Sequence, residues 1–400
     1  MKILILGIDG FIGFPLACHL AKNGYEVAGV DSFLRRRLVR EVGEETVIPI
    51  KDMDTRLEAI KEVYGADVGF DEGDVTDGNF LYGTLKNHKP DTIVNLAQIP
   101  SAPFGQISRE RAVQTQVNNV VGNLNLLWAM KDLKMDTPII QIGTMGEYPV
   151  DVSVPIPEGF FEFDYMGKRS KVCPFPRYGG SYYHQSKIHA SNNTMLACKL
   201  MENLKVTDIN QGVVYGTQTD ETVGDPRLRT RFDAYEVWGT CINRYCAQAV
   251  IGYPLTPFGE TARQKRGFIA LRDSIKCIRI MIDNPPEDGE WNRYRIINQF
   301  DQVYDVTELA ERVRDAGRKM GLDVKIKNIP NPRLEPQEHT YEPIRDKLKQ
   351  LGFRQTHGIQ EELNIMLDDL LKHKDRIEAK RDRIAPRIMW RTGVKYEDES

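Results

Sequence analysis

The sequence predicts an α/β protein: a doubly wound parallel sheet with a smaller α/β C-terminal lobe. Two patterns carry this expectation. Over residues 1–215, short apolar runs of strand length alternate with longer stretches of helical length, as in a parallel sheet covered by helices on both faces. Beyond residue 215 the alternation loosens, and Pro, Gly and Arg become frequent (Gly224-Asp225-Pro226-Arg227, residues 259–267, Asn331-Pro332-Arg333), as in a lobe with long loops. The expected division is 1–215 and 216–400, with some segments of the second part interleaved with the first.

In order, residues 2–6 (Lys-Ile-Leu-Ile-Leu) form the first strand and residues 11–23 the first helix. Glu26-Val27-Ala28-Gly29-Val30-Asp31 is the second strand. Further strands are expected at 91–96, 138–143 and 205–213, with helices near 77–88, 108–134 and 181–204. A last helical stretch runs from 358 to about 380, and its Lys and Arg are expected on a solvated face.

Composition excludes several classes. The 400 residues carry 54 Lys+Arg against 57 Asp+Glu, a net charge of −3, so no overall field draws the chain to nucleic acid or anionic membrane. Hydrophobic residues at 41% and charged residues at 28% fit a globular chain and not a disordered one. No apolar run approaches the ~20 residues that span a bilayer. The first strand begins at the second residue and leaves no room for a leader, so a cytoplasmic location is expected. Cys18, Cys173, Cys198, Cys241, Cys246 and Cys277 contain no Cys-x-x-Cys pair, so neither a disulfide framework nor a metal site is expected.

Gly7-Ile8-Asp9-Gly10-Phe11-Ile12-Gly13 is a G-x-x-G-x-x-G motif between the first strand and the first helix. Glycines there let the backbone turn tightly and approach a pyrophosphate at the helix N-terminus. The motif alone is weak. Asp31 strengthens it, because an acid closing the second strand about twenty residues on accepts from an adenosine ribose hydroxyl. Together they predict a Rossmann-type site for a dinucleotide. Asp31 disfavours a 2′-phosphate and so prefers NAD. Arg35, Arg36 and Arg37 keep NADP open, since arginines close behind the second strand can hold that phosphate. Asp74 and Val75 follow an apolar stretch and are placed at the adenine edge.

Tyr183-His184-Gln185-Ser186-Lys187 is Y-x-x-x-K in a helical stretch, so phenol and ammonium share one helix face. The ammonium favours phenolate and is expected to lower the tyrosine pKa toward that of a general base. Thr144, just beyond the strand ending at Gly143, can set a hydroxyl beside that phenol. A glycine cradle, a hydroxyl after a mid-chain strand and Y-x-x-x-K, in that order, resemble the extended short-chain dehydrogenase/reductases that act on nucleotide sugars.

The resemblance narrows further. Asp31-Ser32-Phe33-Leu34-Arg35-Arg36-Arg37, Ser101-Ala102-Pro103, Gly143-Thr144-Met145-Gly146-Glu147-Tyr148, Ser181 to Lys187, Asn210 to Gly216, Asn331-Pro332-Arg333 and Glu338-His339 are similar to the UDP-sulfoquinovose synthase family, over nearly the whole chain. The string from Thr144 to Tyr148 is its most specific piece. In related sugar-nucleotide dehydratases the threonine is followed by Asp-Glu, the acid and base of a water elimination. Met145-Gly146 stand in those places here, and Glu147 comes one position later.

The resemblance implies that bound NAD oxidises carbon 4 of UDP-glucose while Tyr183 takes the hydroxyl proton. Lys187 would hold the nicotinamide ribose and Thr144 the reacting oxygen. The ketone acidifies the carbon 5 proton, water leaves from carbon 6, sulfite (free or from a donor) adds there, and hydride returns to carbon 4. Glu147 and His184 are the implied proton carriers at carbons 5 and 6, with Met145 beside them. Implied cofactor contacts are Gly7, Gly10, Phe11, Ile12, Gly13, Asp31, Ser32, Phe33, Leu34, Arg36, Asp74, Val75, Leu96, Asn118, Tyr183, Lys187 and Val214. Implied substrate contacts are Ser101, Thr144, Gln211, Thr240, Asn243, Thr256, Phe258, Gln264, Arg266, Arg333 and Glu335. A guanidinium fork at Arg266 and Arg333 suits a diphosphate. A homodimer through the helices at 108–134 and 181–204 is also implied. Pro100 stands where the plant-type enzymes carry arginine, so one polar contact near the sugar or sulfite is missing.

Two alternatives stand beside this one. A nucleotide-sugar 4,6-dehydratase or 4-epimerase would use the same cofactor without sulfite; the missing Asp-Glu pair argues against the dehydratase. A non-catalytic NAD-sensing protein could share the fold, but Thr144, Tyr183 and Lys187 are intact.

Overall fold

Strand and helix alternate along the first half of the chain. They are β1 (Lys2–Leu6), α1 (Gly13–Lys22), β2 (Glu26–Asp31), α2 (Leu34–Glu41), α3 (Met53–Tyr64), β3 (Val68–Glu72), α4 (Gly78–His88) and β4 (Thr92–Asn95). Next come α5 (Arg109–Gln116), α6 (Gly122–Asp132) and β5 (Ile139–Thr144). The chain is represented by a computed structural model that describes residues 1–391 except 151, 260, 289, 290, 337 and 339; of the motif residues above, His339 lies outside them. Ile3, Leu4 and Ile5 are fully buried because β1 lies mid-sheet with helices on both faces.

Two small ribbons follow β5, in which β6 (Phe160–Phe161) pairs with β9 (Cys173–Pro174) and β7 (Asp164–Tyr165) with β8 (Lys168–Arg169). Then come α7 (Tyr182–Leu200), β10 (Val206–Gln211), β11 (Val213–Tyr215), α8 (Cys241–Val250), β12 (Lys265–Ala270) and α9 (Leu271–Asp283). The last elements used below are β13 (Tyr294–Gln299), β14 (Gln302–Asp305), α10 (Val306–Lys319), α11 (Asp346–Gln350) and α12 (Ile359–Leu371).

The central sheet runs β13-β10-β5-β4-β1-β2-β3 with every neighbouring pair parallel, a doubly wound, Rossmann-type order. β13 comes from late in the chain yet pairs with β10, Val206 opposite Tyr294. β11, β12 and β14 form a smaller sheet. Around it α8, α10 and α12 pack a separate apolar core that includes Phe268, Leu309, Val313, Leu363 and Met366. The helix expected from 358 to 380 ends at Leu371 and resumes as a single turn at Lys374–Glu378.

The helix expected at 108–134 is continuous, but residues 117–121 form a π-helical turn. That wider turn sets Asn118 and Asn119 toward the β4 loop, where Asn118 Nδ2 donates to the Ala97 carbonyl at 3.2 Å. Asn119 spans three groups: its Oδ1 accepts from Ile99 N–H at 2.8 Å, while its Nδ2 donates to Ile99 O at 3.2 Å and to Ser186 Oγ at 2.9 Å. The carboxyl ends of the central strands face a cavity of about 640 Å³ whose far wall is the smaller lobe. Strand order reverses between β4 and β1, the crevice in which open α/β sheets take their ligands. No described helix is long and apolar enough to cross a membrane.

Candidate active site

The glycine turn after β1 is built for close approach. Gly7 has φ +90°, and a Cβ there would sit 2.7 Å from the Leu96 carbonyl carbon. A Cβ on Gly13 would lie 2.2 Å from the Gly7 carbonyl oxygen, so the first turn of α1 rests directly on the strand end. This cradle fits a pyrophosphate against backbone N–H groups at a helix N-terminus. Gly7, Gly10, Phe11, Ile12, Gly13, Asp31, Ser32, Leu34, Val75, Leu96, Asn118 and Val214 line the cavity. Asp31 Oδ2 accepts from Asp9 N–H at 2.9 Å and its Oδ1 from Phe33 N–H at 2.8 Å. Burial, and then the Asp9 charge, push Asp31 up to about 6.

Three expected cofactor residues sit off the wall. Phe33 packs on Phe70 at 5.7 Å between ring centres. Asp74 Oδ1 accepts from both Thr76 N–H and Thr76 Oγ1 at 2.8 Å, so it fixes the turn before α4. Arg36 is turned onto Asp9.

Ser181 starts α7 by accepting from His184 N–H at 3.2 Å, a cap worth ~1 kcal/mol, and so fixes the turn that carries Tyr183. One turn on, Lys187 is buried and donates to the Ile142 carbonyl at 2.7 Å, with Nζ 5.7 Å from the Tyr183 ring centre. Thr144 at the end of β5 stands beside the Tyr183 phenol, where its side chain favours the phenolate. Tyr183, Thr144, Lys187, Met145 and His184 all line the cavity. The expected lowering of the phenol pKa is absent. Burial first, and the Glu147 charge second, push it above the ordinary tyrosine value. Lys187 is itself pushed down, because burial penalises its ammonium more than Glu147 and Asp208 favour it.

His184 is wedged between two glycines. A Cβ on Gly146 would stand 2.4 Å from His184 Cδ2 and Nε2, and one on Gly179 would stand 2.3 Å from His184 Cβ. Its Nδ1 pairs with Ser181 Oγ at 2.9 Å. Burial first, then Arg333 and Arg266, lower its pKa to about 3, so the imidazole is neutral at physiological pH.

Glu147, expected to carry a proton at the substrate, is placed behind the wall. It is 0% exposed. Its Oε1 accepts from Thr144 N–H at 3.0 Å, and its Oε2 from Arg177 Nη1 at 2.6 Å. The cause is local: Thr144 and Glu147 form a capping box on the single 3-10 turn Met145–Glu147, which folds the acid back onto the strand end. Asp208 lies 3.8 Å from Arg177 and accepts from Ser191 Oγ at 2.7 Å and from Tyr294. A Cβ on Gly143 would come within 2.7 Å of both Asp208 and Glu147, so the glycine leaves room for this buried network.

Ser101, Gln211, Thr240, Asn243, Phe258, Gln264, Arg266, Arg333 and Glu335 also line the cavity. Gln264, Thr240 and Asn243 point buried polar atoms into it with no protein partner. Arg266 pairs with Glu335. Ser101 Oγ is engaged with the Val237 carbonyl at 2.6 Å, and Gln211 Nε2 with Gln299 at 2.8 Å. Thr256 faces away, its Oγ1 accepting from Gln248 Nε2 at 2.9 Å. Arg244 was not among the expected residues. It is 3% exposed and lines the cavity, with its Nε unpartnered and its guanidinium 5.3 Å from the Phe258 ring centre. A lone arginine on a helix gives no local signal; the neighbouring Thr240 and Asn243 were the available clue.

Comparison with known proteins agrees with this geometry. The NAD dependent epimerase/dehydratase family matches residues 3–296. The chain is 43% identical over 392 residues to the UDP-sulfoquinovose synthase of Sulfolobus acidocaldarius, covering 98% of each chain. It is 38% identical over 395 residues to the chloroplastic UDP-sulfoquinovose synthase of Spinacia oleracea, covering 98% of this chain and 80% of that one. Among solved structures, a UDP-glucose 4-epimerase from Bifidobacterium longum in complex with NAD+ and UDP superposes with TM-score 0.71 at 17% identity, covering 94% of this chain and 99% of that one. The Thermotoga maritima UDP-glucose 4-epimerase gives TM-score 0.69 at 18% identity, covering 93% and 99%. The chain therefore belongs to the NAD dependent epimerase/dehydratase family, on the branch that holds the UDP-sulfoquinovose synthases.

Proposed function

We infer that this chain converts UDP-glucose and sulfite to UDP-sulfoquinovose. The observation that carries the inference is 43% identity over 98% of the chain to a UDP-sulfoquinovose synthase, joined to a Thr144–Tyr183–Lys187 site in which Met145-Gly146 replace an acidic pair. NAD is the cofactor, and when bound it supplies a reversible hydride acceptor. Tyr183 takes the proton of the carbon 4 hydroxyl, and Thr144, on the same stretch of cavity wall, steadies that oxygen. Lys187 provides the nearby cationic charge. His184, neutral and facing the cavity, moves the proton at carbon 5 and hands it to the hydroxyl leaving carbon 6. Glu147 holds Thr144 from behind and neutralises Arg177. Arg266 and Arg333 carry the diphosphate.

Incubation with UDP-glucose and sulfite, followed by mass analysis of the nucleotide sugar, tests this. The expected product is UDP-sulfoquinovose, formed only with sulfite. UDP-galactose or a 4-keto-6-deoxy sugar nucleotide, formed regardless of sulfite, would refute it and favour the epimerase or dehydratase.

A second copy of the chain is the natural cover for an exposed apolar stripe. Val113, Val117 and Val121 lie four residues apart along α5 and the π turn, and Leu196 and Leu200 are exposed on α7. A two-fold pairing of these helices would bury them. Light scattering should report a dimer that Val117→Glu with Leu196→Glu dissociates; an unaltered chain that is monomeric at micromolar concentration removes the reading.

A further inference from the structure

Three arginines follow Asp31, where an arginine is the ordinary partner of an adenosine 2′-phosphate. All three are engaged within the protein. Arg35 Nη2 donates to Asp233 Oδ2 at 2.7 Å, and its guanidinium lies 3.5 Å from the Trp238 ring centre. Arg37 Nη1 donates to the Ser32 carbonyl at 2.6 Å. Arg36 reaches back beneath the glycine turn, where Nε and Nη2 donate to both carboxylate oxygens of Asp9 at 2.7 and 2.6 Å. Arg56 Nη1 donates at 2.6 Å to Asp9 Oδ1, the oxygen that Arg36 Nη2 also uses, and Arg56 is fully buried against the Phe14 ring at 3.3 Å. The Asp9 backbone N–H donates to Asp31, so the turn that holds Arg36 is itself bonded to the acid at the end of β2.

We propose that Asp9 is a specificity determinant: by engaging Arg36 through both oxygens, it withholds the cation that would otherwise receive a 2′-phosphate, so that NADP is rejected by Asp9 as well as by Asp31. A bidentate guanidinium–carboxylate pair is among the strongest side-chain contacts. Opening this one would cost buried Asp9 one of its two charged partners and leave Arg56 as the other, a loss that water at this site makes good poorly. Asp9 fills a variable position of the glycine motif, where its side chain is free to point under the turn. The proposal rests on the dinucleotide and not on the sugar chemistry, so it stands or falls separately from the sulfite reaction.

The test is nucleotide exchange on the purified full chain, with NADP as the probe and mass analysis of the retained nucleotide. Asp31→Ser alone should leave NADP binding weak. Asp31→Ser with Asp9→Asn should bind NADP at least about tenfold more tightly than Asp31→Ser, the worth of a freed charged contact. Adding Arg36→Met should cancel that gain. Equal NADP affinity with and without Asp9→Asn would overturn the proposal. So would a gain that survives Arg36→Met, since another cation on the wall, such as Arg231, would then be the donor. If removal of the Arg56 partner prevents folding, Asp9→Asn with Arg56→Met, which deletes both buried charges together, is added to Asp31→Ser instead, with the same gain expected. No gain in that variant would overturn the proposal.

Discussion

Glu147→Gln separates a group that moves a proton from one that holds the site in place. The amide keeps the size of the acid, and its oxygen can still accept from Thr144 N–H at 3.0 Å. What disappears is the negative charge 2.6 Å from Arg177 Nη1. Arg177 already has Nε and Nη2 without partners, and the remaining acid, Asp208, is 3.8 Å away and accepts from Ser191 and Tyr294. Removing one side of a buried ion pair costs about 3–5 kcal/mol. With unfolding entropy near ~2.1 cal/mol/K per residue, a chain of 400 residues should lose about 4–6 °C of Tm. Thermal unfolding reads that shift, and deuterium entry at carbon 5 of UDP-glucose from heavy water reads the chemistry. A positioning role predicts the lower Tm together with exchange slowed no more than about tenfold, whereas loss of a general base would slow it 10²–10⁴-fold. Exchange abolished at an unchanged Tm would refute the placement of Glu147 behind the wall.

Tyr183→Phe should lower turnover by about 10²–10⁴-fold while the purified protein retains as much nucleotide as before; mass analysis of the released nucleotide checks the second half. Lys187→Ala should reduce both turnover and nucleotide retention, and unchanged retention would free Lys187 from the cofactor. With its pKa near 3, His184 carries no charge between pH 5 and 8, so His184→Asn should slow the reaction by the same factor throughout that range. A wild-type to variant ratio that bends near the ordinary histidine value of about 6.5 would contradict this. Arg244→Gln should raise KM for UDP-glucose about 10- to 100-fold through loss of a charged contact. An unchanged KM would remove Arg244 from the substrate.

Local signals were legible and distant pairings were not. β1 and β2 stand out because mid-sheet parallel strands are apolar on both faces, while β3 does not, since Val68-Gly69-Phe70-Asp71-Glu72 is a half-exposed edge strand. The Tyr183/Lys187 face and the glycine turn are set within a few residues and appear as expected. Arg35 could not be read, because its carboxylate partner lies 198 residues away. Thr256 was placed at the substrate by resemblance, but the loop turns its hydroxyl onto Gln248. Glu147 is different: Thr144-Met145-Gly146-Glu147 is a capping box in plain view, and that pattern alone predicts an acid folded back on its own strand end.

The replacement of Asp-Glu by Met145-Gly146 has a steric and an electrostatic side. No side chain can occupy position 146 while His184 sits where it does, since a Cβ there would lie 2.4 Å from the ring. A side chain at position 146 and an imidazole from α7 are thus mutually exclusive occupants of one space, and Gly146 is the condition for His184. The electrostatic consequence concerns the nucleophile. In the reaction proposed above the nucleophile, sulfite, is an anion, and two carboxylates beside carbon 6 would repel it at the point where it would bond. Here Met145 is neutral, His184 is held uncharged by burial, and the Glu147 carboxylate is turned away and matched by Arg177. Arg333 and Arg266 lower the His184 pKa and Glu335 raises it, with Arg266 and Glu335 paired to each other. To carry out the proposed reaction the site would first expel water and then admit an anion at the same carbon. That calls for a proton carrier without a negative charge, and a neutral histidine would meet both demands where an acidic pair would meet only the first.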